Sequence, residues 1–182
     1  MLTMCVTTST VCASTIFKCI ATTMVDYYGL PQTGDKAWSG RAKAVQLSSA
    51  EKKAEYVEQA LFADLAGTLG GDFEARRFVP FVVMHEFEGL LFSDCQIFGT
   101  SIGRADLIPS FQKIRDEFLT PEEINDSPET APSKRIEQLA PGYEKPLFGT
   151  LTARDIGLDK IQRKCLHFRN WLDRLMCLAL NN

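Results

Sequence analysis

Several features that mark common protein classes are missing from this sequence. No run of about 18 apolar residues occurs, so a membrane-spanning helix is not predicted. The apolar stretch Met1–Ile20 has no basic residue near its start and does not fit a secretory signal. None of the six cysteines forms a Cys-x-x-Cys pair. We therefore predict reduced thiols in a cytoplasmic protein, with neither disulfides nor a zinc site.

Catalytic signatures built on histidine, serine or glycine are missing too. The chain has two histidines, His85 and His167, and Gly89 stands where the zinc-protease motif His-Glu-x-x-His needs its second histidine. No Gly-x-Ser-x-Gly elbow and no glycine-rich phosphate loop is present. These absences argue against a zinc protease, a serine hydrolase and a nucleotide-binding loop.

The composition that remains is that of an ordinary globular protein. Of 182 residues, 45% are hydrophobic and 24% are charged, which is typical of a single domain. We expect one domain over residues 1–182. It would consist of an atypical segment without acidic residues (1–20), an α/β core with the candidate site (21–94) and a mainly helical part (95–182).

Two apolar stretches predict the strands of the α/β core. Ala21–Tyr28 and Phe78–Met84 have the character of buried strands, the second nearly continuous in apolar residues as in parallel sheets. Between them, Ser48 and Glu51 have capping-box spacing and begin a helix that Gly70 ends. The strand–helix–strand order predicts a right-handed crossover. The expected fold is α/β, with a small, mostly parallel sheet flanked by helices.

The C-terminal half is predicted to be helical. Thr120 and Glu123 form a second capping pair, with Pro121 at the first helical position. Further helices are expected at residues 106–118, 133–139, 153–156, 158–165 and 168–180.

Carboxylates follow both predicted strands. Asp26 lies near the end of the first, and His85, Glu86 and Glu88 directly follow the second. Ligands of open α/β sheets bind outside the carboxyl ends of strands, where a carboxylate such as Asp26 can hold a hard divalent cation. We therefore predict Asp26, Glu86, Glu88 and His85 as the candidate catalytic residues. The alternatives are that Asp26 caps a turn and that Glu86 favours a helix N-terminus.

A basic segment provides a candidate phosphate site. Ser133, Lys134 and Arg135 begin a predicted helix, whose N-terminus and cationic side chains suit a phosphate group. Residues 133–182 carry nine Lys or Arg against five Asp or Glu, whereas the preceding residues carry eleven against eighteen. The alternative is a set of helix caps and exposed charge pairs.

Several segments together resemble the family named domain of unknown function 4276. The resemblance extends from about Thr22 to the C-terminus and rests on Thr22–Pro31, Phe78–Phe81, His85–Asp94, Pro121–Asp126, Ser133–Ile136 and His167–Leu172. That family is similar to Toprim-type domains, including those of the overcoming-lysogenization-defect nucleases, and its members stand beside ATPases in bacterial, defence-associated gene pairs. The resemblance implies magnesium- or manganese-dependent cleavage of nucleic acid, with Asp26, Glu86 and Glu88 as the metal ligands.

The sequence departs from this family at its start. Members usually begin with a strand followed by Val-Glu-Gly-x-Thr-Glu, and nothing in Met1–Ile20 matches that motif. We therefore expect the chain to lack the usual first strand, and a nuclease that is inactive in this form is one alternative. Another is a non-catalytic interaction module that partners an ATPase. A third is a small-molecule hydrolase with His85 as its base.

Overall fold

The computed structural model describes residues 5–6, 19–70, 74–84, 86–124 and 131–180. The chain divides into two compact units. The first comprises Met1–Val25, Gly29–Val82 and Asn170–Asn182, and the second comprises Asp26–Tyr28 and Val83–Arg169. His85 and residues 125–130 of the predicted site region lie outside the described residues.

The strands are short and pair mainly in parallel. Their bounds are β1 (Cys5–Val6), β2 (Ile20–Thr22), β3 (Val25–Asp26), β4 (Phe78–Val79) and β5 (Val82–Val83). One sheet has the order β1-β2-β4, with β1 antiparallel and β4 parallel to β2, and a second sheet pairs β3 with β5. The parallel register places Ala21 opposite Phe78 and Thr22 opposite Val79.

Each predicted strand is interrupted, so the expectation of two continuous strands was wrong. Pro80 interrupts the second because proline has no backbone N–H to donate to a ladder. Opposite the break, the Thr23 hydroxyl accepts a hydrogen bond from the Phe81 amide (3.1 Å) and donates to the Phe81 carbonyl (3.4 Å). Backbone pairing then resumes, with the Val25 amide donating to the Phe81 carbonyl (3.3 Å).

The helix between the strands forms as predicted, but one residue later. It is preceded by the short helix α1 (Arg41–Ala44), and it runs as α2 over Ala50–Leu69. Its N-cap is Ser49, whose hydroxyl accepts from the Lys52 amide (3.3 Å), so the predicted Ser48–Glu51 capping box was wrong. Gly70 ends the helix with φ +58°, a conformation that glycine adopts easily.

The core of the first unit combines apolar packing with partly buried polar contacts. Ala54, Val57 and Leu61 form the buried face of α2. The Glu58 carboxylate accepts from the Val82 amide (2.8 Å). Trp171 stacks on Phe81 with ring centroids 4.6 Å apart.

The second unit is helical, which confirms the mixed α/β fold with a helical C-terminal half. Its helices are α3 (Glu88–Leu91), α4 (Cys95–Ser101), α5 (Ile108–Asp116), α6 (Pro132–Leu139), α7 (Thr150–Ile156), α8 (Leu158–Lys164) and the start of α9 (Leu166–Leu180). Phe98 stacks on Phe111 with centroids 4.4 Å apart, and Phe92 meets both rings edge-on. Within the described ranges, no helix is long and apolar enough to cross a membrane.

The predicted helix start at Thr120 was wrong in detail. Only one 3-10 turn forms, over Pro121–Glu123, and the Thr120 side chain caps nothing. The Glu122 carboxylate instead accepts hydrogen bonds from the His167 amide (3.0 Å) and the Phe168 amide (2.8 Å) at the start of α9. A carboxylate remote in sequence therefore serves as the cap of the last helix.

Candidate functional site

Glu86 lies at the N-terminus of α6. Its Oε2 accepts from the Ser133 amide (2.9 Å) and its Oε1 from the Ser133 hydroxyl (3.0 Å). The N-cap position of α6 is Ala131, whose side chain cannot accept a hydrogen bond. Glu86 therefore supplies the cap, and the helix start predicted to seat a phosphate holds a carboxylate of the chain itself.

Glu88 opens α3 and is buried, with 6% of the residue exposed. Phe87, just before it, is already in the right-handed helical conformation. Helical geometry thus begins after Glu86, and both carboxylates face the same lysine. The Nζ atom of Lys145 lies 3.2 Å from Glu86 Oε1 and 4.0 Å from Glu88 Oε1.

Lys145 is a site residue that the sequence did not reveal. It begins a π-helical turn, Lys145–Gly149, that leads directly into α7. Such turns are rare and often occur at functional sites. Lys145 is 59 residues from Glu86 along the chain, and no local pattern in the sequence indicates this contact.

Asp26 is exposed at the end of β3 and bonds locally. Its Oδ1 accepts from the Tyr28 amide (2.9 Å), the turn-capping role that was one of the two predicted alternatives. Its negative charge nevertheless raises the pKa of Glu88. Asp26, Glu86 and Glu88 all belong to the second unit.

The pKa of Glu88 depends on the other two carboxylates as well as on its own burial. Burial raises the pKa of Glu88, and the charges of Glu86 and Asp26 raise it further. A hydrogen bond to the backbone and the charge of Lys145 act in the opposite direction without cancelling the shift. A buried carboxyl with a raised pKa beside other acids is the pattern expected of functional sites, although ion-pair networks also produce it.

Tyr143 is a second residue beside the predicted carboxylates that no sequence pattern had indicated. Its hydroxyl is buried and has no hydrogen-bond partner in the described part of the chain. Burial raises the pKa of Tyr143, and the charge of Glu88 adds to the effect. Gly149 lies close to this hydroxyl. A Cβ atom at position 149 would be 3.5 Å from the Tyr143 hydroxyl oxygen and 3.9 Å from the Phe87 ring. The hydroxyl therefore lies beside the π-helical turn that carries Lys145.

The predicted phosphate-binding residues do not converge on one point. Ser133 is 1% exposed and holds Glu86. Lys134 is exposed and pairs with Glu137 (3.0 Å). Arg135 pairs with Glu117 (3.3 Å), and its guanidinium carbon lies 5.5 Å from the centroid of the Phe118 ring.

The donor set suits a hard divalent cation, but its arrangement does not match a metal site. Carboxylate oxygens are the ligands that Mg²⁺ and Mn²⁺ prefer. Among the described residues, however, no three His, Cys, Asp or Glu side chains stand close enough to hold a metal ion. In this arrangement the single ammonium group of Lys145 forms ion pairs with both Glu86 and Glu88.

A family model described as "Domain of unknown function (DUF4276)" matches residues 12–176. No curated protein and no solved structure matched the chain. Because the match covers most of the chain and includes Asp26, Glu86 and Glu88, which together form the acidic cluster, this protein belongs to the family of domain of unknown function 4276.

Proposed function

We propose that the second unit binds a divalent cation at Asp26, Glu86 and Glu88 and hydrolyses phosphodiester bonds, as a Toprim-like nuclease would. The observation that carries this proposal is Glu88, which is buried although two further carboxylates act on it. Burying a carboxylate beside like charges disfavours its ionised form. A divalent cation would offset that repulsion and stabilise the ionised form of Glu88.

The chain's own groups would have distinct roles in such a site. When bound, the metal would activate water and stabilise the leaving oxygen. Ser133 fixes the Glu86 carboxylate through two hydrogen bonds, so this ligand needs no further ordering. Lys134 and Arg135 would contact the phosphate backbone of a nucleic acid. Exposed ion pairs such as Lys134–Glu137 contribute little energy, so a phosphate can replace Glu137 at small cost.

Metal titration with matched aspartate variants tests this proposal. Unfolding temperature and calorimetric binding would be measured against Mn²⁺ for the unchanged protein, Asp26→Asn and Asp106→Asn. Asp106 is an exposed aspartate of the second unit that pairs with Arg104, which makes it a suitable control. Saturable stabilisation is expected for the unchanged protein and the control, because a ligand that binds the native state raises its stability.

The Asp26→Asn variant should bind Mn²⁺ at least about tenfold more weakly, as expected for loss of a group that supports a metal site. Cleavage of a generic aryl phosphodiester in Mn²⁺ would be assayed in the same samples. Equal Mn²⁺ affinities of Asp26→Asn and Asp106→Asn would contradict the proposed site. Metal binding without hydrolysis would restrict the function to cation binding.

A non-catalytic interaction module that partners an ATPase is the second candidate. The ion pairs of Lys145 with Glu86 and Glu88 favour it, because they satisfy both carboxylates without a metal. On this hypothesis the network serves folding alone. Mn²⁺ would then have no effect on the unfolding temperature of the natural sequence or of any variant of Asp26, Glu86 or Glu88.

A further inference from the structure

We propose that Arg163, Lys164 and Arg169, which we call the basic junction, bind the phosphate backbone of a nucleic acid. These residues lie on either side of Cys165, where α8 ends and α9 begins. The inference rests on the proposed function for the choice of polymer, and it deepens that function because it adds a contact surface apart from the start of α6. It requires neither a metal ion nor hydrolysis.

The cations of the basic junction have no partner within the described part of the chain. Of the eleven Lys and Arg residues of the second unit, six form ion pairs with carboxylates and Arg115 donates to two backbone carbonyls. The four that remain are Lys113 and the three residues of the basic junction. No Asp or Glu occurs between Asp159 and Asp173. The basic junction is therefore a group of positive charges that the described residues do not neutralise.

The three cationic side chains are exposed and close together. Ile161, Cys165 and Phe168 are buried, whereas the cations between and beside them are exposed. The Arg169 amide donates to the Cys165 carbonyl (3.0 Å), so these two residues are one helical turn apart. The backbones of Arg163 and Arg169 are therefore no more than about 14 Å apart. A DNA duplex carries one negative charge per about 1.7 Å of its axis, so all three cations can contact phosphates of one segment.

Helix stability alone does not account for these charges. Lys164 lies in the last turn of α8, where a cation is favourable. Arg169 instead ends the first turn of α9, where the positive end of the helix disfavours a cation, and this turn contains no acidic residue. The cap comes from Glu122, which accepts hydrogen bonds from the His167 and Phe168 amides. An arginine that weakens its own helix is expected where its charge serves binding.

The basic junction fits a nucleic acid better than a lipid surface. Helices that lie in a membrane interface bury a broad apolar face in the bilayer. Among residues 163–169, all of which the structure describes, Leu166 is the only exposed apolar residue. Two of the three cations are arginines, whose planar guanidinium groups bind pairs of phosphate oxygens.

The basic junction and the acidic cluster are connected through the 3-10 turn that contains Glu122. On one side, the Glu122 carboxylate accepts from the Phe168 amide (2.8 Å). On the other, a Cβ atom at Gly89 would lie 3.1 Å from the carbonyl oxygen of Pro121 in the same turn. Gly89 directly follows Glu88 in α3. A nucleic acid bound at the basic junction would thus lie on the unit that carries the acidic cluster.

DNA binding by charge-neutralised variants tests this inference. Fluorescence anisotropy of a short fluorescein-labelled duplex, and of one of its single strands, would be measured in EDTA so that metal binding and hydrolysis play no part. The basic-junction variant carries Arg163→Gln, Lys164→Gln and Arg169→Gln. The control variant carries the same substitution at three other cations on the surface of the second unit, Arg104, Lys113 and Arg154.

The basic-junction variant should bind DNA at least about tenfold more weakly than the unchanged protein. The slope of log affinity against log salt concentration should become shallower by about 2–3, because each lost phosphate contact on a duplex removes about 0.9. The control variant should bind like the unchanged protein. If circular dichroism shows that the basic-junction variant is unfolded, Arg169→Gln compared with Lys113→Gln gives the same test, with a slope change of about 1.

The outcomes separate this inference from the proposed function. Equal weakening in the two triple variants would overturn it, because net charge alone would then explain the loss. Absence of DNA binding by the unchanged protein would also overturn it, and binding to phosphatidylglycerol vesicles instead would identify a membrane surface. If Mn²⁺ binding and hydrolysis fail while the basic-junction variant alone loses DNA binding, the inference is supported and the nuclease function is not.

Discussion

The Glu86 carboxylate holds Ser133 at two points, the backbone amide and the hydroxyl, at 2.9 and 3.0 Å. These contacts connect the turn before α3 to the first turn of α6. One oxygen of the same carboxylate also receives Lys145. Glu86 is thus both the cap of a helix and a member of the acidic cluster.

The capping role predicts a loss of stability in Glu86→Ala. The Ser133 amide would lose a charged acceptor, and the free energy of unfolding should fall by about 1–3 kcal/mol. Urea unfolding followed by circular dichroism measures this change. Glu137→Ala, which removes an exposed partner of Lys134, should cost less than about 0.5 kcal/mol. Equal losses in the two variants would show that Glu86 does not cap α6.

The raised pKa of Glu88 predicts how stability depends on pH. The folded protein binds the Glu88 proton more tightly than the unfolded chain, whose pKa is near the ordinary 4.5. Between these two pKa values the native state carries more protons, so its stability falls as pH rises through that window. Glu88→Gln cannot ionise and should lose this part of the decline. Urea midpoints from pH 4.5 to neutral pH test it, and an unchanged pH dependence would contradict the burial of a titrating carboxyl.

Trp171 should contribute to the first unit through both its ring and its indole N–H. The N–H donates to the Thr22 hydroxyl (2.8 Å), and the ring stacks on Phe81. Trp171→Phe keeps the stacking and should cost about 1 kcal/mol, whereas Trp171→Ala should cost about 3–5 kcal/mol. In a double-mutant cycle with Thr22→Val, the cost of Trp171→Phe should shrink. Additive losses would mean that this hydrogen bond contributes nothing.

The described cysteines should differ widely in reactivity. Burial raises the pKa of Cys95 to about 12 and that of Cys165 to about 12, and the thiolate is the reactive form. Cys19 and Cys177 are exposed. In native protein at neutral pH, an alkylating reagent should label Cys19 and Cys177 first, as read by peptide mass spectrometry. Labelling of Cys165 at the rate of Cys177 would contradict the packing around α8.

Sequence patterns predicted which helices and strands form better than they predicted where each one begins and ends. The parallel pairing of β2 with β4 and the helix between them follow from apolar runs and a glycine stop. The prediction of one strand over Phe78–Met84 missed the break at Pro80, which has no backbone N–H to donate to the sheet. The helix start was misplaced because Ser48 and Ser49 are chemically equivalent caps. Only the backbone conformation, extended at Ser49, distinguishes them.

The candidate site was predicted in part for a similar reason. Carboxylates after apolar strands are a local pattern, and the charges of Asp26 and Glu86 do act on Glu88. Lys145 and Tyr143 lie more than fifty residues after Glu88 in the sequence, and their positions depend on how the helices pack. The predicted metal ligation and phosphate contacts remain predictions.

The turn that carries Lys145 makes the site sensitive to segment length. A π-helical turn closes its hydrogen bonds one residue further along than an α-helical turn. Removal of one residue, for instance the exposed Leu147, would let the turn close as regular α-helix ahead of α7. Residues before the deletion would then rotate by about 100° relative to those after it. The ammonium group would swing away from Glu86 and Glu88, although every amino acid of the acidic cluster would be unchanged.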